Sequence, residues 1–166
     1  AQSGKHIVSE LNKEIAKIEK KIASLIESSE ELSEVFNIVT SVPGIGTQNA
    51  VCLMVYTDNF RKFNYDARSI ACYYGIAPFG QDSGTSVHVD PHVHYMANRH
   101  IKAMLTQAAL AAIRFNPVIA QYYMRLIERG KKKYVAMNNV KNKLLHIVTS
   151  MVKHKQVYNP EYRISA

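Results

Sequence analysis

Val42-Pro43-Gly44-Ile45-Gly46-Thr47-Gln48-Asn49-Ala50 is the stretch whose reading decides the fold. An apolar run, Val35-Phe36-Asn37-Ile38-Val39, precedes it, and a second, Ala50-Val51-Cys52-Leu53-Met54-Val55, follows. Two glycines flanking one apolar residue make a tight turn, because glycine accepts positive φ without strain. Pro43 pushes Val42 out of the helical region and ends the first run. Thr47 is placed to cap the second. The expectation is helix, Gly-x-Gly turn, helix, with Ala50 small enough to let the two helices approach. Such a turn presents backbone N–H groups, backed by a helix N-terminus, to whatever approaches it, which suits a phosphate oxygen. The plainer alternative is a helix–helix turn with no ligand.

Charge separates the chain into two parts. There are 21 Lys+Arg against 13 Asp+Glu overall, a net charge of +8. Residues 1–41 carry 5 Lys+Arg against 7 Asp+Glu, whereas residues 42–166 carry 16 against 6. The basic character follows the turn, which points to a polyanion partner for that part. The turn itself resembles the helix-hairpin-helix element of proteins that hold a DNA backbone without reading its bases. The hydrophobic share is 47%, enough for a true core. No apolar run nears the roughly 20 residues that span a bilayer. Cys52 and Cys72 sit in apolar, helical stretches and read as buried thiols of a reducing cytoplasm, neither disulfide-bonded nor metal-bound. The chain does not begin with Met and reads as a piece of something longer.

Upstream, a heptad runs over residues 8–32. Val8, Ile15 and Ile22 take one seam position; Leu11, Ile18, Leu25 and Leu32 take the other; Ser29 is the one break. Lys and Glu fill the outer positions, as at Lys13, Glu14, Lys17 and Glu19. This predicts a long coiled-coil helix over 1–34 and homo-oligomerisation through residues 8–32. An amphipathic helix lying on its own domain is the alternative.

Downstream, Phe60 and Phe63 are expected to staple the next helix to the core, and Gly75 to terminate that helix. Residues 79–95 alternate polar and apolar around Thr85–Asp90 and predict an extended loop or short β-ribbon. Helices are expected at 97–114, 118–129 and 134–153, broken at Asn116-Pro117 and at Gly130 with its Lys131-Lys132-Lys133 run. Residues 154–166 read as a tail. The fold class is therefore all-α: a coiled-coil helix, then a compact helical domain over 35–153 with a helix-hairpin-helix and one ribbon.

Val42-Pro43-Gly44-Ile45-Gly46, Phe63, Tyr74-Gly75-Ile76-Ala77-Pro78, Ser83-Gly84, Asn98-Arg99, Asn116-Pro117 and Arg129-Gly130-Lys131-Lys132 stand in one order and spacing. That set resembles the C-terminal domain of the insertion-sequence transposases related to Piv-type DNA invertases, also called bridge recombinases. The resemblance covers residues 40–153. It implies a separate RuvC-like domain carrying acidic ligands for a divalent metal such as Mg, and a serine nucleophile that maps to Ser83. It implies DNA as partner, and a structured guide RNA. It also implies that this stretch alone is inactive and needs no cofactor of its own. The sequence departs from the family pattern at Ala97, where a glycine is expected, and in having histidines at 92 and 94 in place of lysines.

The residues expected at DNA are Gly44, Gly46, Thr47, Arg99, Lys102, Lys131, Lys132 and Lys133, with no metal ligand assigned. His88, Asp90, His92, His94 and His100 match no common zinc spacing, and the four histidines read as histidines beside DNA. The pairs Tyr73-Tyr74 and Tyr122-Tyr123 read as packing. From another class, a non-catalytic helix-hairpin-helix module for DNA binding and dimerisation fits the same residues, and a helical protein-interaction domain fits them without nucleic acid.

Overall fold

The computed structural model describes residues 2–76, 79–83, 87–92 and 99–161, with side chains over 4–76 and 100–161. The fold is helical. Seven α-helices follow in order: α1 Gln2–Glu27, α2 Glu30–Thr40, α3 Thr47–Thr57, α4 Ala67–Tyr73, α5 Arg99–Phe115, α6 Pro117–Glu128 and α7 Lys133–Lys153. Between α4 and α5, β1 Phe79–Ser83 and β2 Val87–His92 pair antiparallel, with Ser83 opposite Val87 and a register irregularity between Phe79 and Gln81.

Local chemistry places most helix ends. Ser29 is extended and accepts from the Leu32 N–H, with Glu30 and Glu31 filling the first turn of α2. Asp66 caps α4 by accepting from the N–H groups of Arg68 and Ser69. Asn116 caps α6, and Pro117 occupies its first turn, where a missing N–H costs nothing. Gly75, at φ 64°, closes α4 with Gly75 N–H to Cys72 O at 3.0 Å and Ile76 N–H to Ala71 O at 2.8 Å. Gly130, at φ 78°, closes α6 in the same way through Ile127 O and Leu126 O.

Three sequence expectations change. The heptad does not continue as one helix through Leu32. The chain breaks at Ser28-Ser29, and Leu32 belongs to α2, because Ser29 offers its hydroxyl to the N-terminus of a new helix. Thr47 does not cap α3. Gly46 is the N-cap, with no side-chain bond, and Thr47 is the first helical residue. The tail is fastened over its described part. The Tyr158 N–H donates to Ser41 Oγ at 2.8 Å, and its hydroxyl donates to Asn116 Oδ1 at 3.1 Å while accepting from Asn116 Nδ2 at 2.9 Å.

The core lies where α2, α3, α4, α5 and α7 meet. Val39, Val42, Ala50, Phe60, Ile70, Tyr74, Ile101, Leu105, Ala109, Ala112, Leu144 and Val148 fill it. Phe60 does staple the 58–66 segment: it is fully buried, and its N–H reaches Thr57 Oγ1 at 2.9 Å. Tyr74 is in the core, and its hydroxyl is pushed above its usual pKa by burial; Tyr73 stacks at the surface on Phe63. Cys52 and Cys72 are free thiols and only half buried. Among the described residues no single helix is long and apolar enough to cross a membrane; α5 and α6 together meet that test only across a 100° bend.

Against this core, α1 stands apart. It meets α2 where Ser33 Oγ donates to Ile26 O at 2.8 Å, and it meets α3 where Gln48 Nε2 reaches Glu19 Oε1 at 3.5 Å. The rest of its seam has no cover: Val8, Leu11, Ile15, Ile18 and Leu25 are each 52–58% exposed.

Candidate nucleic-acid interface and serine ribbon

The turn between α2 and α3 uses its two glycines differently. Gly44 has φ 105°, a region closed to other residues without strain. A Cβ placed there would lie 2.5 Å from the Ala112 N and 2.6 Å from the Ala112 Cα. Gly44 is therefore where the turn seats directly on the backbone of α5. Gly46 has an ordinary extended backbone (φ −85°), and a Cβ there would meet nothing within 4 Å.

Gly46, Thr47 and Gln48 are exposed. The first helical bond of α3 runs from Ala50 N–H to Gly46 O at 3.0 Å. The N–H groups of Thr47, Gln48 and Asn49 thus point beyond the helix with no side-chain cap accepting from them. A helix end with this geometry carries a partial positive charge and suits an oxyanion. It opens into a cleft of about 1010 Å³ whose opposite wall is formed by Glu19, Ile22 and Ile26 of α1.

The other expected contacts lie elsewhere. Lys131 and Lys132 are exposed in the turn between α6 and α7, and Lys133, also exposed, begins α7. The length of α6 separates them from the corner at Asn116, about 18 Å at 1.5 Å per residue. Arg99 begins α5, but its side chain is outside the described residues. Lys102 lies one turn further along α5, half buried.

Lys102 has a neighbour that sequence reading missed. Lys141 of α7 is 6% exposed, and its ammonium reaches Thr106 Oγ1 at 3.5 Å with no acid in ion-pair distance among the described residues. Burial first, and the charge of Lys102 second, pull its pKa below the usual lysine range. The signal was in the sequence: Lys141 interrupts the apolar series Val140, Leu144, Leu145 and Val148. One turn earlier on α7, Asn138 Nδ2 donates to Ile76 O at 2.7 Å. That bond fixes the chain at the point from which it leads into the β1–β2 ribbon. Arg61 is held by Glu31 at 2.9 Å and Asp58 at 3.3 Å, and Lys62 lies over the Tyr73 ring.

Ser83 is the last residue of β1, at the turn end of the ribbon. Gly84 and the Ser83 side chain lie outside the described residues, as do the side chains of His88, Asp90, His92 and His94. Among the described residues no cluster of three His, Cys, Asp or Glu could hold a metal ion. The divalent metal implied by the resemblance therefore has no ligand set in them.

The comparisons with known proteins agree with one another. The Transposase IS116/IS110/IS902 family matches residues 36–124, from α2 into α6. The "Insertion element IS110 uncharacterized 43.6 kDa protein" of Streptomyces coelicolor is 30% identical over 121 residues, 73% of this chain and 29% of that protein. The "Pilin gene-inverting protein" of Moraxella bovis is 23% identical over 146 residues, 87% of this chain and 45% of that protein. A protein of the same description from Moraxella lacunata matches over the same length at the same identity. The chain thus spans less than half the length of these relatives. With more than half of its residues matched, from the first buried helix to the α6 face, the chain belongs to the IS116/IS110/IS902 family of insertion-sequence transposases.

Proposed function

We propose that this chain is the C-terminal part of a DNA transposase or site-specific recombinase, which binds DNA and supplies Ser83 as the nucleophile of a composite active site. The observation that carries this reading is the position of Ser83 at the turn end of a two-stranded ribbon in a chain of this family. Ile76, from which the chain leads into that ribbon, is held by Asn138 of α7, and one turn further along α7 Lys141 lies by Lys102 of α5. In the proposed step, Ser83 Oγ attacks a DNA phosphorus. The Oγ–P bond forms, the P–O bond to one deoxyribose breaks, the serine proton leaves to a base, and the departing sugar oxygen takes up a proton. A serine hydroxyl is a weak nucleophile at neutral pH. Its activation is assigned to a divalent metal held by acidic residues outside this stretch, and nothing in the described residues takes that part.

On the same reading the uncapped first turn of α3, at Gly46, Thr47 and Gln48, holds a DNA phosphate as a helix-hairpin-helix. Arg99, Lys102 and Lys131–Lys133 contact other phosphates or a structured guide RNA. The open seam of α1 pairs with a second copy as a coiled coil. A DNA-binding and dimerisation module without catalysis would use the same hairpin and seam.

The test separates the two in the full-length protein that contains this stretch. Ser83→Ala should abolish strand exchange and leave DNA affinity within about twofold, since it removes one oxygen. Stalled reactions of the parent should carry DNA on Ser83. Full recombination by the variant, or an adduct mapped to a tyrosine, refutes the serine assignment.

A further inference from the structure

A second cavity, of about 600 Å³, lies between α6, the C-terminal half of α7 and the fastened segment 156–160. Its size is that of a small-ligand site. Its floor is apolar: Ile119, Leu126 and Met151 line it, each buried in the core or at its margin. Its polar border is cationic. Arg125 comes from α6, Arg129 caps its C-terminal end, and Lys143 joins them from α7. No Asp or Glu lines the cavity, and none of the three cations has an acid within ion-pair distance among the described residues. Tyr122 lines the wall one turn before Leu126, half buried, so one part of it is fixed and the rest is open to the cavity.

An apolar floor, an aromatic wall and three uncompensated cations call for an occupant that is flat and apolar at one end and anionic at the other. A nucleotide has that form, since every base offers a π-face and every linkage a phosphate. The charge also continues past the cavity. Arg125 and Arg129 are one helical turn apart, about 6 Å along α6, and Lys131–Lys133 follow at its end. A line of cations suits a strand better than a free mononucleotide.

We propose that this cavity holds one unpaired nucleotide of a single-stranded nucleic acid, its base on Tyr122 over the apolar floor and its phosphate between Arg125, Arg129 and Lys143. The inference rests on the reading of the chain as a nucleic-acid binder, but uses none of the residues assigned to the hairpin or the ribbon. A stacked duplex cannot place a base in the cavity without unstacking it, so the site discriminates single from double strands.

The test uses the 166-residue chain, a fluorescent 12-mer of deoxythymidine and a 12-base-pair duplex. Arg125→Ala with Arg129→Ala, both exposed, should weaken binding of the single strand about tenfold, and Tyr122→Leu, which retains apolar packing, by a similar factor. Duplex binding should change less than twofold in Tyr122→Leu. Melting curves check that each variant is folded. An oligomer carrying 5-iododeoxyuridine should crosslink to Tyr122 on irradiation. Unchanged single-strand affinity in a folded Tyr122→Leu variant, or a crosslink mapped only to the hairpin or the lysine run, overturns the proposal while leaving the hairpin reading intact. If the parent binds neither polymer, the nucleic-acid reading itself fails. Thymidine 5′-monophosphate, titrated to millimolar concentration, then decides the cavity: amide shifts at Tyr122 and Ser150 support it, and their absence overturns it.

Discussion

Gly44→Ala isolates what holds the α2–α3 turn in place. The new Cβ would sit 2.5–2.6 Å from the N, Cα and Cβ of Ala112, so it meets helix backbone and not a side chain that can swing away. Its φ of 105° is also outside the regions open to alanine. Backbone strain of this kind costs about 1–3 kcal/mol, and forcing extra volume into a packed contact costs about 1–3 kcal/mol more. A loss of roughly 3–5 kcal/mol is a large part of the 5–15 kcal/mol typical of a domain. With an m-value of about 1–3 kcal/mol/M, the urea midpoint should fall by about 2 M. Ala112→Gly added to Gly44→Ala should recover only part of this, because the Ala112 N and Cα remain in the way. The matched control is Gly46→Ser, where φ is ordinary and the space is open. Serine there gains the cap that α3 lacks, and should stabilise by a few tenths of a kcal/mol. A Gly44→Ala variant within 0.5 kcal/mol of the parent (about the spread of neutral surface changes) would refute the packing account and return Gly44 to a role at the ligand.

Tyr158→Phe removes both bonds to Asn116, a residue only 1% exposed, and leaves its amide short of a partner; the loss should be about 1–2 kcal/mol, seen as a lower melting temperature. Lys141→Met should stabilise by about 1–2 kcal/mol, since it removes a buried cation whose partner among the described residues is the Thr106 hydroxyl. The pH dependence follows the same cause. The folded pKa of Lys141 is lowered, so between it and the unfolded value near 10.4 the unfolded chain binds more protons, and stability rises with pH across that window. Paired urea melts through that window should show this rise in the parent and a smaller one in Lys141→Met. Ile18→Lys places a charge in the open seam of α1 and should convert a dimer to monomer by light scattering. A parent that is monomeric at high concentration removes the coiled-coil reading.

How much of this was legible in the sequence depended on how local the cause was. Asn116-Pro117, Gly75 and Gly130 mark helix ends because their partners lie within a few residues, and the structure places those ends within two residues of the expected ones. Ser29 was equally local: a serine followed by two glutamates is a helix start. Named in the heptad as its one break, it ends the helix outright, whereas the three-four apolar spacing runs on to Leu32. The N-cap at Gly46 was mistaken for one at Thr47, since the neighbouring side chain is the better cap by type and only the backbone conformation separates them. The role of Gly44 was out of reach, because its reason is Ala112, in a helix reached only after α4 and the ribbon. The tail was out of reach for the same cause: Tyr158 answers Ser41 at a separation of 117 residues. In the candidate site the exposed lysines were visible by composition. The buried Lys141 and the cavity cations Arg125 and Arg129 required knowing which faces of α6 and α7 meet.

Helix α5 sets the distance between the two proposed DNA contacts. At Ala112 it carries the α2–α3 turn, through a contact with Gly44 that leaves no room for a methyl group. At its other end Arg99 receives the chain from the ribbon, and Lys102 and Thr106 lie with Lys141 beside it. From Arg99 to Ala112 is about 20 Å at 1.5 Å per residue. Duplex DNA rises about 3.4 Å per base pair, so this length matches roughly six base-pair steps. On the proposed reading, a phosphate held at the exposed first turn of α3 would fix the duplex near one end of that ruler, and the chain from β2 enters α5 at the other, with Ser83 at the far end of β1. On that reading the hairpin would help set which phosphate comes before the serine, through a helix whose seat on Gly44 cannot slide without a steric clash.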